Sequence, residues 1–584
     1  MKSIFELNKE PQRDVVLNCK WNESTCDITL TNNSQAEQEL GNITIFSAKM
    51  PFSPDTDFYG EGFNMLSQYG GKINDFKLLG SFSDYTHYKL KKPDGINQVY
   101  NMIIFYPSNA EPLLIGFSSC NRFVGMIRFN EERIEIAIDA EGIKIGAGET
   151  ITLEQIFVKQ GNRNLILNCF AQAISKNHPR REFCEIPTGW CSWLVYGPSV
   201  TAQNIYDNLD AIKKNNLDLK YIQIDDGYQA CWGDWFDFTD KFEGGVKRVC
   251  LDIKEKGFEP AIWVAPFVAE KNSKLFREHP DWFVKDENGE PLCSQDVTFG
   301  GWRCAPWYIL DMTHPMAIEY LKTVFKTMRN EWQIKYFKLD AIVWAALPFG
   351  KRYDSTKTST EAFKMGMNAI ANAVGSESFI LGGNSPMWAS IGVVNGMRVT
   401  NDNQREFCQF SQIAIECFNR NWQHNKLWIN DPDTVLLQNH TYEVVGPNGA
   451  KITKLGSVTK EEFAFNAAYT MASGGMVLSG DDISTLNKEN IELLKSLLPP
   501  IKESAEFDDT SFTIGRARID EGKTIIYLFN FDNYSKDITV SLENEVEIYD
   551  LFEKKNLGIF KKEICFTDFA PHNGKVLICK NINK

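Results

Sequence analysis

The stretch KYFKLDAIVWAA, residues 335–346, is a short apolar segment that contains two charged side chains. Lys338 and Asp340 lie two residues apart, and the alternation of a β-strand places them on the same face. A charge in a buried strand is costly unless it is paired or has a function. The stretch therefore predicts a buried strand whose end presents a carboxylate for chemistry.

Seven other segments between residues 188 and 482 have the same form, a short apolar run that ends in polar residues. Amphipathic stretches such as AQNIYDNLDAIKKNN and AIEYLKTVFKTMRNEW separate them and predict helices. Eight strand–helix units over about 320 residues predict a (β/α)8 TIM barrel. A doubly wound open sheet is the alternative, although such sheets more often stop at about five to seven strands. The seven other predicted strands are TGWCSW, KYIQIDDGY, FEPAIWVAPF, SFILGGNSP, GMRVTNDN, KLWINDPD and GGMVLSGDD.

The regions on either side of the predicted barrel have short apolar runs without long amphipathic stretches between them. Before it, runs such as LLIGFSSC and RIEIAID are separated by turn residues, which predicts an antiparallel β-sandwich. After it, TIIYLFNFDN and VEIYDLF predict a small antiparallel C-terminal β-sandwich. The segment NLILNCFAQAISKNHPRR predicts a linking helix that ends at His178-Pro179. We therefore divide the chain into a sandwich (1–178), a catalytic barrel (179–503) and a second β-domain (504–584).

Composition and charge exclude several classes of function. The 584 residues are too many for one compact core. The net charge of −14 argues against a nucleic-acid partner, because phosphate binding requires a basic surface. The N-terminus has no apolar signal region and no window has the length of a membrane span, so we expect a cytoplasmic protein without a membrane partner.

Metal and cofactor chemistry are not expected. The fourteen cysteines form no C-x-x-C pair, and the seven histidines show no spacing of two ligands on one helix face. The cysteines are therefore interpreted as buried reduced thiols, as is usual inside cells. We expect no metal and no cofactor.

Aspartates follow five of the predicted barrel strands. In a (β/α)8 barrel the carboxyl ends of the strands build the active site. An aspartate in such a position can instead cap the following helix. Five strands that converge on one mouth favour a site over helix capping. The aspartates are Asp225, Asp226, Asp340, Asp402, Asp431, Asp433, Asp481 and Asp482.

Two of these carboxylates have a basic residue on their own strand face. If Asp340 faces the barrel mouth, Lys338 lies one layer beneath it and lowers its pKa, as a nucleophile requires. Arg398 and Asp402 lie four residues apart on one face, and this second carboxylate is expected to protonate more easily. A nucleophile and an acid/base pair is the arrangement of retaining glycoside hydrolysis.

Aromatic side chains at the strand ends suit a sugar site. Trp193, Trp263 and Trp344 offer flat apolar faces to a sugar ring, beside Asp225 and Asp226 as acceptors for its hydroxyls. Barrel packing is the alternative role for Trp193 and Trp263.

Taken together, the motifs resemble the α-galactosidases of glycoside hydrolase family 36, clan D, particularly the short bacterial members. The resemblance covers roughly residues 180–485 and follows the family's order. It also suits an N-terminal β-sandwich and a small C-terminal β-domain. The resembling motifs are GWCSW (189–193), QIDDGY (223–228), IWVAPF (262–267), HPDWFVK (279–285), YFKLD (336–340), GMRVTND (396–402) and WINDPD (428–433).

The resemblance implies a double-displacement mechanism on small α-galactosides. Asp340 falls on the family's nucleophile and Asp402 on its acid/base. Asp225 and Asp226 match the pair that holds the 4- and 6-hydroxyls of galactose. The remaining matched positions are the sugar-binding basic residues Lys338 and Arg398 and the aromatic residues Trp193 and Trp263.

Three departures from the family pattern put the substrate in question. The fifth strand has LGGNSP, with Gly383 and Asn384 where a Cys and a Gly are common near the sugar's 2-position. Leu194 replaces a common aromatic residue. The N-terminal loop 62–71 lacks a Trp and offers only Phe63 or Tyr69. We therefore include Asn384 among the substrate-binding residues.

Four functions remain open at this stage. The first is an exo-α-galactosidase, and the second is an α-N-acetylgalactosaminidase or α-galactosaminidase on the same machinery. The third is an α-galactosyl transferase of the raffinose-synthase type. The fourth, a non-catalytic sugar-binding protein, is disfavoured because both Asp340 and Asp402 are present. The expected partner is a small oligosaccharide or glycoside, and a homo-oligomer is left open.

Overall fold

The computed structural model describes residues 8–9, 14–445 and 451–582. The first part of the chain is a 13-stranded antiparallel sheet. It packs around its own hydrophobic core, which includes Ile28, Ile45, Phe105 and Ile136. The strands are β1 (Asn8–Lys9), β2 (Val15–Asn22), β3 (Thr25–Asn32), β4 (Gln38–Lys49), β5 (Asp57–Glu61), β6 (Gln68–Lys72), β7 (Asp75–Leu78), β8 (Asn97–Tyr106), β9 (Leu113–Phe117), β10 (Gly125–Phe129), β11 (Arg133–Ile145), β12 (Thr150–Thr152) and β13 (Ile156–Gln160).

The predicted linking helix is present as α1 (Arg163–Asn177). The side chain of Asn162 caps its first turn by accepting from the backbone N–H groups of Asn164 and Leu165. The helix ends at His178, whose Nε2 accepts a hydrogen bond from the backbone N–H of Cys120 (3.0 Å). The imidazole thus ties the end of the helix to the N-terminal sheet.

A parallel eight-stranded sheet forms a nearly closed barrel and confirms all eight predicted barrel strands. Its order is β22-β21-β20-β19-β16-β15-β14-β25, and β17-β18 and β23-β24 form two separate two-stranded antiparallel sheets. The strands are β14 (Thr188–Cys191), β15 (Tyr221–Ile224), β16 (Glu259–Val264), β17 (Val268–Glu270), β18 (Trp307–Ile309), β19 (Tyr336–Leu339), β20 (Phe379–Gly382), β21 (Gly396–Arg398), β22 (Ile429–Asp431), β23 (Thr441–Val445), β24 (Lys451–Leu455) and β25 (Val477–Ser479).

The barrel closes between β22 and β25 through single hydrogen bonds rather than a continuous ladder. The backbone N–H of Met476 donates to the carbonyl of Asn430 (2.9 Å), and that of Val435 donates to Leu478 (2.8 Å). A Cβ atom on Gly475 would lie 1.9 Å from the Asn430 carbonyl oxygen, so this approach requires glycine.

Helices follow the barrel strands, and three of them begin with a capping box in which a Thr side chain and the third helical residue exchange hydrogen bonds. Short 3-10 turns lie at Gly197–Ser199, Pro280–Trp282, Ile342–Ala346, Trp388–Ser390 and Asn421–Gln423. The helices are α2 (Trp193–Tyr196), α3 (Ala202–Lys214), α4 (Val246–Glu255), α5 (Lys274–Glu278), α6 (Ser294–Val297), α7 (Pro315–Asn330), α8 (Ser359–Val374), α9 (Phe407–Arg420), α10 (Lys460–Ala472) and α11 (Lys488–Ser496).

The C-terminal part is antiparallel, with a six-stranded and a two-stranded sheet around a small core that includes Leu528, Val540 and Ile548. The domain boundaries at 178 and 503 stay a prediction. The strands are β26 (Glu506–Phe507), β27 (Ile514–Asp520), β28 (Lys523–Phe529), β29 (Lys536–Ser541), β30 (Val546–Asp550), β31 (Lys555–Phe560), β32 (Glu563–Phe569) and β33 (Gly574–Asn581).

A buried ion pair joins the N-terminal sheet to the barrel. Arg420 at the end of α9 donates to Glu61 of β5 (2.7 Å), and both side chains are fully buried. Gln423 donates to the same carboxylate (3.1 Å). Removal of either charge would leave its partner uncompensated in the interior, so this contact fixes how the two parts meet.

The cysteine interpretation requires a correction. All fourteen cysteines are free thiols, but only six are buried, and Cys184, Cys408 and Cys565 are exposed. Among the described residues, no helix is long and apolar enough to span a membrane. Within the same ranges, no group of three or more His, Cys, Asp or Glu side chains is placed to hold a metal ion.

Candidate active site

Asp340 is the first residue after β19, and three donors hold its carboxylate. Its Oδ1 accepts from the Asn384 side chain (2.8 Å) and from the backbone N–H of Ala341 (2.7 Å). Its Oδ2 accepts from Nε1 of Trp263 (3.0 Å). The adjacent Ala341 has a left-handed backbone (φ 53°), which turns the chain sharply at the strand end. Both oxygens of the carboxylate are therefore held by hydrogen bonds, while the side chain remains partly exposed.

Lys338 forms no hydrogen bond with Asp340, although the charges of the two side chains interact. Lys338 is buried and donates to Asp225 (2.9 Å) instead. Burial lowers the pKa of Lys338, but the charge of Asp225 outweighs it, so that the pKa rises and the lysine stays charged. Among the ion pairs of the described residues, none includes Asp340. Hydrogen bonds from uncharged donors therefore orient this carboxylate.

Asp225 and Asp226 both lie beyond β15, which ends at Ile224, so strand alternation no longer separates them. Asp225 also accepts from the side chain of Gln223 (2.6 Å). Gly227 has φ 124°, and a Cβ there would lie 2.6 Å from the backbone of Pro198. The glycine thus permits the tight loop that buries both aspartates.

Arg303 binds Asp226 through two hydrogen bonds, from Nε to Oδ2 (2.7 Å) and from a terminal nitrogen to Oδ1 (2.5 Å). Gln229 and Trp232 add donors to the same carboxylate (2.5 and 3.1 Å). Asp226 is therefore not a helix cap. The sequence patterns did not predict Arg303 as a site residue, because it lies in a loop rather than at a strand end. The run GGWRCAPW (300–307), which places two glycines and two tryptophans around one arginine, was the available signal.

Asp402 lies four residues beyond the end of β21. Its Oδ1 accepts from Arg398 (2.8 Å) and its Oδ2 from Nε1 of Trp193 (3.1 Å). The buried Arg398 also binds Asp431 (3.2 Å) and Asp433 (2.7 Å), so one guanidinium serves three carboxylates. The predicted Arg398–Asp402 pairing is present, and the seventh strand contributes through its two aspartates.

Asp402 and Asp433 differ in pKa. Contrary to expectation, the pKa of Asp402 is lowered rather than raised. Burial alone would raise the pKa of Asp402, but Arg398 and Lys338 outweigh it and lower that pKa below its ordinary value. Burial raises the pKa of Asp433 to about 6, although Arg398 opposes the rise. In the free protein, Asp433 is therefore the easier of the two to protonate.

The tryptophans have different roles. Trp263 is buried against Trp232 (ring centroids 5.0 Å apart), so it both packs the barrel and donates to Asp340. Trp193 is partly exposed beside Asp402. Trp344 is buried edge-on against Tyr88 of the N-terminal region (5.3 Å). Burial is the main cause of the raised pKa of Tyr88, and the charges of Asp84 and Asp340 add to it, so this N-terminal side chain lies close to the site.

Asn384 follows β20 in a left-handed conformation (φ 39°). Its amide nitrogen donates to Asp340, whereas its buried side-chain oxygen has no partner among the described residues. A Cβ on Gly383 would lie 3.3 Å from the Leu339 carbonyl oxygen and 3.4 Å from Oδ1 of Asp340. Gly383 thus allows Asp340 and Asn384 to approach each other.

The N-terminal loop 62–71 packs beneath this segment. Phe63 and Tyr69 are both buried, so neither replaces the missing tryptophan as an exposed sugar platform. The loop instead pairs through its backbone, with Met65 N–H donating to Ser385 (3.0 Å) and Met387 N–H donating to Phe63 (2.9 Å). The N-terminal sheet thereby fixes the loop that carries Asn384.

Known proteins resemble this chain in part of its sequence and in its fold. The family model described as Melibiase matches residues 204–378, which include Asp225, Asp226 and Asp340. The crystal structure of the GH36 α-galactosidase AgaA from Geobacillus stearothermophilus is similar in fold, with a TM-score of 0.67 at 12% identity, covering 97% of this chain and 81% of that one. The chain therefore contains a segment that matches the Melibiase model, and its fold is similar to that of an α-galactosidase.

Relatives of this chain include the "Alpha-galactosidase" of Escherichia coli, 32% identical over 131 residues, or 21% of this chain and 17% of the relative. The "A type blood alpha-D-galactosamine galactosaminidase" of Flavonifractor plautii is 27% identical over 191 residues, 31% of this chain and 17% of that protein. The chain thus matches less than a third of the length of these curated relatives.

A second solved structure is TtGalA, an α-galactosidase from Thermus thermophilus in complex with p-nitrophenyl α-D-galactopyranoside. It has a TM-score of 0.64 at 19% identity and covers 89% of this chain and 97% of that chain. Both structural matches show that this chain shares the fold of these enzymes.

Proposed function

We propose that the chain is a retaining exo-α-galactosidase that hydrolyses terminal α-linked galactose by double displacement. The observation that carries the proposal is the matched support of two carboxylates. Asp340 and Asp402 each accept a tryptophan N–H on one oxygen and a further side-chain donor on the other. Retaining glycosidases require two positioned carboxylates with different roles.

In this proposal Asp340 is the nucleophile. Hydrogen bonds from Trp263, Asn384 and Ala341 hold both of its carboxylate oxygens in place. One oxygen attacks the anomeric carbon as the glycosidic bond breaks, which gives a covalent glycosyl-enzyme. Water then displaces Asp340 from that carbon.

Asp402 serves as the acid/base. It must carry a proton when the leaving group departs, whereas Arg398 favours its carboxylate form. The Asp402 side chain is 45% exposed in the free protein, and a bound glycoside would remove that water. Desolvation raises a carboxyl pKa, so substrate binding would move Asp402 toward the protonated state that the first step needs. After proton donation, the carboxylate activates the water.

The sugar would be recognised by two further ion pairs of the site. Asp225 with Lys338, and Asp226 with Arg303, present charged acceptors and donors for sugar hydroxyls. Support for galactose comes from the motif resemblance, the Escherichia coli relative and the ligand of TtGalA. A cytoplasmic location and a small-molecule glycoside as partner remain part of the proposal, and a homo-oligomer stays open.

A second candidate is the hydrolysis of 2-amino or 2-acetamido galactosides. The specific observation that favours it is the unpartnered side-chain oxygen of Asn384 beside Asp340. The name of the Flavonifractor plautii relative shows that galactosaminides are substrates among related proteins. No contact in the described residues favours the transferase alternative.

A panel of p-nitrophenyl α-glycosides tests the proposal. We expect turnover of the galactoside or its 2-amino analogue and none of the α-glucoside. The first product seen by NMR should be the α-anomer, because retention follows from double displacement. A β-anomer as first product, or no turnover of any galacto-configured substrate, would overturn it.

A further inference from the structure

We propose that Asn384 recognises the substituent on C2 of the sugar, and that the preferred substrates are α-galactosides with a free 2-amino group. This inference rests on the proposed function, because it names the substrate class of the same site. It depends on the side chain of Asn384, whose amide nitrogen has a hydrogen-bond partner and whose amide oxygen has none among the described residues. The contacts of Asn384, the shape around it and the charge of the site each support it.

The orientation of the Asn384 amide is determined by Asp340. Its Nδ2 donates to Oδ1 of Asp340 (2.8 Å), and a flipped amide would set a carbonyl oxygen against that carboxylate. The Asn384 Oδ1 must therefore point away from Asp340. It is buried and lacks a partner among the described residues, which is a costly state for an amide oxygen. A hydrogen-bond donor on the substrate would satisfy it.

The backbone around Asn384 holds this oxygen in place. The carbonyl of Asn384 accepts from the N–H of Val343 (2.8 Å), and the N-terminal loop 62–71 forms backbone hydrogen bonds with Ser385 and Met387. The left-handed φ of 39° is tolerated by asparagine better than by most residues. The acceptor is therefore preorganised rather than free to turn toward water.

The position of Asp340 identifies the sugar atom that faces this oxygen. If Asp340 attacks C1, a side chain bonded to its carboxylate lies beside one of the two neighbours of C1. Those neighbours are the ring oxygen, which has no hydrogen, and C2, which carries the substituent. Only the C2 group can donate to the Asn384 oxygen.

Size and charge favour an amine over the larger acetamide. The Asn384 oxygen is enclosed. A Cβ atom added to Gly383 would already lie within 3.4 Å of the Leu339 carbonyl oxygen and Oδ1 of Asp340. An amino group has the size of a hydroxyl, whereas an acetamide adds three heavy atoms. Five carboxylates of the site share the three basic side chains Lys338, Arg303 and Arg398, and Asp340 adds a sixth carboxylate outside these ion pairs. An ammonium group would gain from that excess of negative charge.

The experiment compares kcat/KM for p-nitrophenyl 2-amino-2-deoxy-α-galactoside with that for the plain galactoside at pH 6. We expect the wild type to prefer the amino sugar by about tenfold or more, the range of one charged hydrogen bond. Asn384→Gly keeps the left-handed backbone and should reduce that preference by about tenfold. Trp263→Phe is the matched control, because it removes the other side-chain donor to Asp340 and should slow both substrates equally.

Several results would overturn the inference. Good galactosidase activity with amino-sugar turnover below about a tenth of it would do so, and would leave the proposed function standing. Faster turnover of the N-acetyl substrate, or equal losses on both substrates in Asn384→Gly, would also overturn it. No turnover of any galacto-configured substrate would remove the proposed function and this inference together. If Asn384→Gly does not fold, thermal protection of the wild type decides, with galactosamine expected to act at about a tenth of the galactose concentration.

Discussion

Lys338 and Asp225 form a buried ion pair of 2.9 Å, although Lys338 lies two residues before Asp340 on the same strand. The partner comes from β15, which is separated from β19 by β16. In a (β/α)8 barrel, side chains from alternate strands meet in one layer of the interior. The lysine therefore supports Asp225, a proposed sugar-binding residue, more directly than it supports Asp340.

Double-mutant cycles should show this pairing. Lys338→Met leaves Asp225 as an unpaired buried carboxylate and should destabilise the fold by about 3–5 kcal/mol. Adding Asp225→Asn should recover much of that loss. The cycle of Lys338→Met with Asp340→Asn should give a coupling free energy below about 0.5 kcal/mol. Urea unfolding measures all variants, and a stronger coupling to Asp340 than to Asp225 would contradict the assignment.

Replacement of the proposed nucleophile should abolish turnover. Asp340→Gly should lose about 10⁴-fold or more in kcat, because no other carboxylate can form the covalent intermediate. Added azide should restore part of the reaction and give the β-glycosyl azide. The variant should bind galactose about as well as the wild type, as measured by thermal protection. Retention of more than about a tenth of the activity would show that Asp340 is not the nucleophile.

Replacement of the proposed acid/base should depend on the leaving group. Asp402→Ala should nearly stop hydrolysis of natural oligosaccharides, whose poor leaving groups need a proton. An activated aryl galactoside should still react once and give a burst of p-nitrophenol before hydrolysis stalls. Stopped-flow absorbance measures the burst. Equal losses for both kinds of substrate would rule out this role.

Arg303 should matter through its geometry as well as its charge. Arg303→Lys keeps the charge but loses the paired hydrogen bonds to Asp226, at 2.5 and 2.7 Å. We expect kcat/KM to fall by about 10–100-fold, mostly through KM. Arg518→Lys, in an exposed pair with Glu543, is the control and should change nothing measurable. An unchanged KM in Arg303→Lys would reduce Arg303 to a structural contact.

Stability should fall in acid partly because of His178. Burial and the nearby charge of Lys364 lower its pKa from 6.5 to about 4 in the folded chain. Between these values the unfolded chain binds the proton and the folded chain does not, so the free energy of unfolding decreases as the pH falls from about 6.5 to 4. The contribution is about 3 kcal/mol at about 1.4 kcal/mol per pKa unit.

The variant His178→Gln keeps an acceptor for the N–H of Cys120 but cannot titrate. Its stability relative to the wild type should therefore improve steadily as the pH falls through this window. Denaturant unfolding at pH 7, 5.5 and 4 measures the difference. A constant difference across these pH values would show that His178 does not contribute.

The sequence by itself determined which elements form and where their chemistry begins. The eight barrel strands, the linking helix and the carboxylates Asp340 and Asp402 all follow from local patterns, because alternation and strand ends involve neighbouring residues only. The predicted contact between Arg398 and Asp402 also holds, since both belong to one strand end. Motif order added the resemblance that the Melibiase match supports.

Only the tertiary structure decided how these groups are paired. Lys338 meets Asp225 across the barrel, and Arg303 reaches Asp226 from a loop far along the chain. Which side chains share a layer depends on strand stagger and loop paths, and neither is encoded in the spacing of nearby residues. The pKa of Asp402 is low for the same reason, because it depends on charges that several strands bring together in a buried site.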